Sequence, residues 1–487
     1  MNRDEIQSVV EQVVSRMTGY GQRGAGNGAS GAPPAAGDAA KPATASPQFG
    51  VFEKMDDAAK AADAAFKSYR ELTLAQRETI ISAIRKTGHT FKYKWAPETV
   101  KETGMGRTDH KVRKFNAVCD GTRGTEDLVT YAKSGDYGLM IEEMAPYGLM
   151  AAVTPSTHPV PTLINNAISL LAAGNTAVFN AHPASKVVFA EALATLNREM
   201  MAAGGPPNLL TTIVTPTVES ANEMFRHDAV RLILVTGGPA VVKAALAVPK
   251  KAITAGPGNP PVVVDETADL ARAAKAIVDG GGFDNNILCI GEKEVFCVGS
   301  VFDQLMREMD KLGCVRLDLQ QSNALAAKAF EKKGEHYMVN RDLVGRNASV
   351  LAEAIGIRGL GPEVPLLFGE VPDANNIWVQ EEQMMPFMPF VRVPDVDTAI
   401  RLALQAEHGY RHTALMHSNN IFNMSKFARA CDCSIFVKNG PSTAGLAVGG
   451  EGYISYSIAS PTGEGITTAK TFTRKRRCTL VEAFRII

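Results

Sequence analysis

Residues 148–179, GLMAAVTPSTHPVPTLINNAISLLAAGNTAVF, contain one complete repeat of the fold. Gly148 to Val153 is an apolar run of strand length, and Pro159 to Ala173 starts on a proline and has the length of a helix. Gly174-Asn175 closes that helix, and Thr176 to Phe179 is a strand again. The same rhythm continues: helix Ala184 to Ala203, strand Leu210 to Val214, helix Thr217 to His227, strand Arg231 to Val235, helix Pro239 to Ala247, strand Pro261 to Val264. Such alternation means βαβ units and a parallel sheet, an α/β fold that binds ligands at the carboxyl ends of its strands. The loops there are Thr154-Pro-Ser-Thr-His-Pro159, Asn180-Ala-His-Pro183, Thr215-Pro216 and Thr236-Gly-Gly238. The Thr-Gly-Gly turn opens a helix whose free N–H groups suit a pyrophosphate, although a full dinucleotide fingerprint is absent. His158 and His182 read equally as ligand contacts or as polar surface.

Upstream, residues 55–133 are rich in alanine and charge and read as successive helices, with runs at Met55 to Tyr69 and Thr73 to Lys94. Residues 137–153 alternate and break at Pro146-Tyr-Gly, the pattern of a hairpin or paired strands. Residues 1–18 place Ile6, Val9, Val10, Val13 and Met17 at helical spacing, an amphipathic helix too short to stand alone in water. Residues 19–47 are Gly, Ala, Ser and Pro with almost no large apolar side chain, a flexible linker. A helical tip on such a tether reads as an address tag, or else as an arm that packs on its own oligomer.

Downstream, Thr254-Ala-Gly-Pro-Gly-Asn-Pro-Pro261 has too many prolines and glycines for a helix and makes a rigid crossover. It leads to Gly281-Gly-Phe-Asp-Asn-Asn-Ile-Leu-Cys289, where a helix-like run (265–279) ends on glycines and a strand-like run (293–298) follows. Cys289 thus sits on a loop held by rigid elements, the usual place for a reactive group, with Asn285 and Asn286 beside it to orient a polar ligand. The alternative for such a cysteine is a small buried hydrophobe. A second alternating stretch runs to about Val448, with Glu381-Glu-Gln-Met-Met-Pro386 and the histidines 408, 412 and 417, none with metal-ligand spacing. Cys431-Asp-Cys433 is too tight for an ordinary bridge and reads as packing or alternating along a strand. The tail Phe472-Thr-Arg-Lys-Arg-Arg-Cys-Thr-Leu480 is an alternating basic strand, suited to a solvated or intersubunit edge.

The 487 residues suffice for two or three domains. Lys+Arg 51 balances Asp+Glu 51, so no overall field recruits nucleic acid or an anionic membrane. Seven cysteines without framework spacing suit a reducing cytoplasm. No run approaches a membrane span, and the N-terminus lacks the succession of a secretory signal.

With these runs assembled, the sequence resembles the aldehyde dehydrogenase superfamily, and most closely its CoA-acylating branch of bacterial microcompartments. The resemblance is carried by Thr154–Pro159 with Asn165-Asn-Ala-Ile168, by Val235-Thr-Gly-Gly238, and by Gly256-Pro-Gly-Asn-Pro-Pro-Val-Val-Val-Asp-Glu-Thr-Ala-Asp269. Phe283–Cys289, Phe436-Val-Lys-Asn-Gly440 and Pro461-Thr-Gly-Glu-Gly465 complete it, so that it extends over residues 50–487. It implies a Rossmann-like cofactor domain at 48–255, a catalytic domain at 256–448 and a C-terminal segment at 449–487. A hairpin at 137–147 and the last strand would join subunits into a dimer or tetramer. Residues 1–18, on their linker 19–47, resemble an encapsulation peptide that binds a shell protein, which places the enzyme in the microcompartment lumen of the cytoplasm.

The resemblance further implies Cys289 as nucleophile, with Asn286 and Thr157 beside the oxyanion. Thr157 stands where hydrolytic relatives carry an asparagine. NAD would contact Thr154, Pro155, His182, Thr215, Thr236, Gly237, Gly238 and Glu382. Hydrolytic relatives activate water with a glutamate; the equivalent position is Ala255, so CoA thiolysis replaces hydrolysis, because a thiol is readily ionised. The implied reaction takes a short aldehyde, propionaldehyde first and acetaldehyde second, to its acyl-CoA. A hydrolytic NAD(P)-dependent enzyme and a catalytically silent shell component are the competing readings.

Overall fold

The computed structural model describes residues 44–333 and 336–487; the helix read at 1–18 and residues 19–43 of the linker lie outside the described residues. The first sheet is built from β1 (Val51–Phe52), then, beyond an antiparallel pair β2 (Tyr131–Gly135) and β3 (Gly138–Pro146), from β4 (Leu149–Val153), β5 (Thr176–Asn180), β6 (Leu210–Ile213), β7 (Val230–Thr236) and β8 (Lys251–Ala255). Its six strands are parallel in the order β1-β6-β5-β4-β7-β8. A parallel strand is covered on both faces and must be apolar throughout, and every residue of β4 is buried. Leu149, Ala151 and Val153 pack into one core with helix Met55–Tyr69, whereas Met150 and Ala152 point into the other, with helices Pro159–Ala172 and Lys186–Ala202. Every residue of Pro159–Ala172 is buried, because helix Leu74–Thr103 covers its far side. Strand order reverses between β4 and β7, which opens a crevice at their carboxyl ends.

The second sheet comprises β9 (Pro261–Val264), β10 (Glu294–Val298), β11 (Val315–Arg316), β14 (Leu367–Val371), β15 (Phe387–Val393), β16 (Thr413–His417) and β17 (Ile435–Lys438). It too is parallel, in the order β11-β14-β15-β10-β9-β16-β17. The numbers between belong to two small pairs, β12 (Phe330–Lys333) with β13 (His336–Val339), and β18 (Ile458–Ala459) with β19 (Gly465–Ile466). Residues 256–260 alone join the carboxyl end of β8 to the amino end of β9. Five residues reach roughly 20 Å at most, so the two edges face each other. Ligands of the first sheet and loops at the amino ends of the second therefore share one cleft.

A third sheet, β2-β3-β20, adds the last strand, β20 (Thr473–Val481), antiparallel along β3. Glu142 in its middle accepts from Lys475 at 3.1 Å and Arg477 at 3.2 Å, which absorbs part of the tail's positive charge. Among the described residues no helix is long and apolar enough to cross a membrane.

Several local readings are corrected. Tyr131–Gly135 is a strand, not the end of a helical run; it is exposed on an edge and lacks the apolar alternation that burial imposes. Pro146-Tyr-Gly separates two sheets, since β3 pairs with β2 and β20 and not with β4. Helix Leu74–Thr103 continues nine residues past Lys94 and accommodates Pro97. Strand β8 was not anticipated, Ile253 being its one large apolar residue. Cys431 ends helix Ile421–Cys431, and Asp432 takes a left-handed φ of 48° as its cap, so the two cysteines share no strand.

One buried side chain ties three parts of the chain together. The Asn175 carbonyl accepts from the N–H groups of Tyr147 (2.7 Å) and Gly148 (3.0 Å), and its amide donates to the Phe472 carbonyl at 2.9 Å. Asn175→Ala leaves these groups unpaired at roughly 1–3 kcal/mol each. The expected result is a thermal unfolding midpoint several degrees lower, read by calorimetry, with the last strand more open to protease; an unchanged midpoint would show the tie to be dispensable.

Candidate active site

The cysteine loop begins where helix Leu270–Gly281 ends. Asp284, Asn285 and Asn286 then take three successive left-handed conformations, with φ of 50°, 56° and 61°. Asp and Asn tolerate that region better than other side chains, yet it still costs on the order of 1 kcal/mol per residue, so each must be held. The Asp284 carboxylate receives the Lys114 ammonium at 2.5 Å, the Lys111 ammonium at 3.1 Å and the Arg107 N–H at 2.7 Å. Burial alone would raise its pKa, but the two lysines hold it well below the usual carboxylate range. Lys114 in turn is pulled down to about 8 by its burial, against the opposing pull of Asp284. The Asn285 amide donates to the Gly345 carbonyl (2.8 Å) and to Asn347 (2.9 Å). The Asn286 amide donates to the Glu292 carbonyl at 2.9 Å, and its oxygen accepts from Lys293 at 2.7 Å. Ile287 and Leu288 anchor the loop in the core, leaving Cys289 partly exposed.

Around the sulfur the amino ends of four parallel strands converge. Cys289 precedes β10, Gly258 precedes β9, Glu382 precedes β15 and His412 precedes β16. A methyl group on Gly258 would lie 2.7 Å from the Cys289 carbonyl and 3.0 Å from the His412 ring, so only glycine lets these two approach. The Gly258 N–H donates to Glu382, whose carboxyl burial pushes up to about 7. His412 Nδ1 bonds the Thr413 hydroxyl at 2.8 Å, while its buried Nε2 has no partner among the described residues; burial holds the ring neutral, near 4. Burial, and then the Glu382 carboxylate, push the Cys289 thiol up to about 12, with Lys293 and Lys114 acting the other way. At rest it is a thiol. A cavity of about 30 Å³ is lined by Lys114, Phe283, Ile454 and Tyr456 and by Leu288 and Ile290, the two residues that flank Cys289 in sequence.

The other wall of the cleft belongs to the first sheet. Thr154 is buried and its hydroxyl lacks a partner among the described residues, while Pro155 and Thr157 are partly exposed. Lys111 bridges the walls, donating at 3.1 Å both to the Thr157 carbonyl and to Asp284. The Thr236 hydroxyl meets Ser457 at 2.7 Å, and beyond it Gly237 and Gly238 open helix Pro239–Leu246 without a side-chain cap. A Cβ on Gly238 would meet nothing within 4 Å. This uncapped turn, with the orphaned Thr154 hydroxyl near the crevice, fits a dinucleotide. His182 and Thr215 are exposed at the ends of β5 and β6, and His182 Nδ1 accepts from the Ala184 N–H at 3.1 Å. Ala255 is the buried last residue of β8.

Cys289, Asn286 and Glu382 thus gather on one wall, and Thr154, Pro155, Thr157, Thr236, Gly237 and Gly238 on the other. Sequence reasoning passed over Lys111, Lys114, Lys293 and His412. The three consecutive charges Glu292-Lys293-Glu294 running into a wholly buried strand were the available signal, since charged residues are seldom fully buried without a task.

Residues 40–455 match the family described as "Aldehyde dehydrogenase family". The chain is 47% identical over 491 residues to an acetylating acetaldehyde dehydrogenase of Salmonella typhimurium, covering 100% of both. It is 43% identical to a Rhodopseudomonas palustris propionaldehyde dehydrogenase solved with bound CoA and an acylated cysteine, with a TM-score of 0.88, covering 90% of this chain and 100% of that one. It is 42% identical, with a TM-score of 0.87, to the propionaldehyde dehydrogenase of the Clostridium phytofermentans fucose utilisation microcompartment, covering 90% and 100%.

The charges around the thiol set a pH test. Because Glu382 titrates near 7 and its carboxylate opposes the thiolate, Glu382→Gln should lower the thiol pKa only where Glu382 is ionised. A half-unit change is about threefold in thiolate at any pH below the thiol pKa. Alkylation of Cys289 by iodoacetamide should therefore be about threefold or more faster in the variant at pH 8.5 and equal to the unsubstituted protein at pH 5.5. Equal rates at both would remove Glu382 as a charge acting on the sulfur.

Proposed function

The chain belongs to the aldehyde dehydrogenase family, and on that premise we propose that it is a CoA-acylating aldehyde dehydrogenase that turns a short aldehyde, NAD and CoA into acyl-CoA and NADH. The observation that carries this reading is Cys289 on its anchored loop, together with Ala255, buried at the end of β8, at the position where the resemblance sets the water-activating glutamate of hydrolytic relatives. Acetaldehyde and propionaldehyde both suit the reading: relatives at 47% and 43% identity carry one name each.

Cys289 bonds to the aldehyde carbon as its proton leaves to solvent. The N–H of Cys289 receives the negative oxygen, with Thr157 across the cleft. Asn286 contributes chiefly by shaping the loop, since its amide is engaged with Glu292 and Lys293. Thr154, Pro155, Thr236, Gly237 and Gly238 hold the dinucleotide and Glu382 its nicotinamide ribose, with His182 and Thr215 toward the adenosine. When bound, NAD supplies the hydride acceptor that makes a thioester of the adduct on Cys289. The thiol of CoA then attacks the thioester carbon, and its proton passes to the departing Cys289 sulfur, which leaves as a thiol. One thioester replaces another, so the reaction runs readily in both directions.

Residues 1–18 direct the enzyme to a shell protein of a bacterial microcompartment, and a relative carries that location in its name. The β2-β3-β20 sheet joins subunits; the exposed Tyr131, Tyr137, Leu480 and Val481 on it support this.

Sustained NADH formation from propionaldehyde or acetaldehyde should require CoA, and Cys289→Ala should abolish it in both directions. Equal turnover without CoA, with free acid as product, would replace this reading by a hydrolytic one. Deletion of residues 1–18 should leave turnover unchanged while the protein no longer co-purifies with shells; loss of assembly or activity instead would make the segment an oligomer arm.

A further inference from the structure

Lys293 is among the largest fully buried side chains of the protein, and its ammonium has an unusual set of partners. Its Nζ lies 2.8 Å from the Asn286 carbonyl, 2.7 Å from the Asn286 side-chain oxygen and 3.2 Å from the Leu288 carbonyl. An ammonium has three protons, and all three go to the cysteine loop. The neighbouring carboxyls do not take this charge. Glu292 is bonded to the N–H and hydroxyl of Ser442 at 2.9 and 2.8 Å, and neither Glu294 oxygen has a hydrogen bond among the described residues. Lys293 thus makes no ion pair among the described residues, and all its hydrogen bonds go to oxygens of the cysteine loop.

Two of its bonds fasten the left-handed turn at Asn286. The third falls on the carbonyl of Leu288, the far end of the peptide group whose N–H belongs to Cys289. A cation on the oxygen of a peptide draws electron density from its N–H and makes that N–H a stronger, more firmly aimed donor. In a water-poor interior the effect is little screened. We propose that Lys293 is a positioning residue for the reaction, which caps the Leu288 carbonyl and thereby polarises the Cys289 N–H toward the substrate oxygen. The inference rests on Cys289 being the nucleophile, as proposed above.

The full-length protein is treated with [1-¹³C]propionyl-CoA without NADH, so that the Cys289 sulfur takes the propionyl group and CoA departs as its thiol. Isotope-difference infrared spectra then give the carbonyl stretch of the acyl-enzyme, which falls as the donors on that oxygen strengthen. In the unsubstituted protein the band should lie below that of propionyl-CoA in solution. Lys293→Met should move it up toward the solution value and lower kcat by about tenfold, a fraction of what removing an oxyanion donor outright costs, with KM for NAD and CoA within about twofold. Lys293→Arg should keep the band and most of the rate. Should the methionine variant fail to fold, Lys293→Gln, a neutral donor of similar reach, is expected to place the band between the two. A band unmoved in the Met or Gln variant, even with activity lost, would overturn the inference while leaving Cys289 as nucleophile. Absence of any acyl band in the unsubstituted protein would overturn both.

Discussion

The geometry of the cleft depends on three adjacent residues being kept in a backbone conformation they do not prefer. Asp284, Asn285 and Asn286 form one left-handed turn, and the side chain of each bonds to groups that hold it. The strongest holds are ionic. Two buried lysines share one buried aspartate, an arrangement that survives desolvation because opposite charges meet at 2.5 and 3.1 Å. Removing one member of such a cluster leaves an uncompensated charge, at roughly 3–5 kcal/mol. Those lysines come from helix Thr108–Gly121, and Lys111 also donates to Thr157. The same cluster that strains the cysteine loop therefore sets its distance from the first sheet.

Topology supplies the rest of the convergence. In the first sheet the reversal of strand order opens a crevice at the carboxyl ends, as doubly wound sheets do. In the second sheet the reactive residues stand at the amino ends of β9, β10, β15 and β16, the opposite edge. The short link at 256–260 makes the two edges face each other, and Gly258 within it lets the link pass between Cys289 and His412. Binding and chemistry can thus be assigned to two different sheets and still meet in one cleft.

The rhythm of strands and helices from Gly148 to Val264 was legible because a parallel strand buried on both faces has no choice but to be apolar. Cys289 was legible because a glycine-closed helix and an apolar strand leave a loop between them. Residues whose structure is set by partners distant in sequence were not. Tyr131–Gly135 is a strand only because β3 runs beside it, and Lys251–Ala255 only because β7 does. His412 in isolation is one histidine among nine; its meaning comes from Gly258, 154 residues away. Lys111 and Lys114 look like the solvated face of a helix until Asp284 is brought against them.

The resting state of Cys289 bears on how the chemistry must proceed. Its thiol is pushed up to about 12 while Glu382 sits near 7, so the thiolate is scarcely populated before substrate arrives. Attack cannot wait for a free thiolate, and proton loss has to accompany carbon–sulfur bond formation, when the negative charge moves from the sulfur to the substrate oxygen. On the proposed mechanism that oxygen meets the N–H of Cys289, in the peptide whose carbonyl is already bound by an ammonium. The charge is stabilised where it arrives, not where it starts, which is the arrangement that favours a transition state over the resting enzyme. A scarcely ionised thiol also resists oxidation, which proceeds through the thiolate. The high resting pKa thus leaves the sulfur's electrons to be drawn out as its bond to a carbonyl carbon forms.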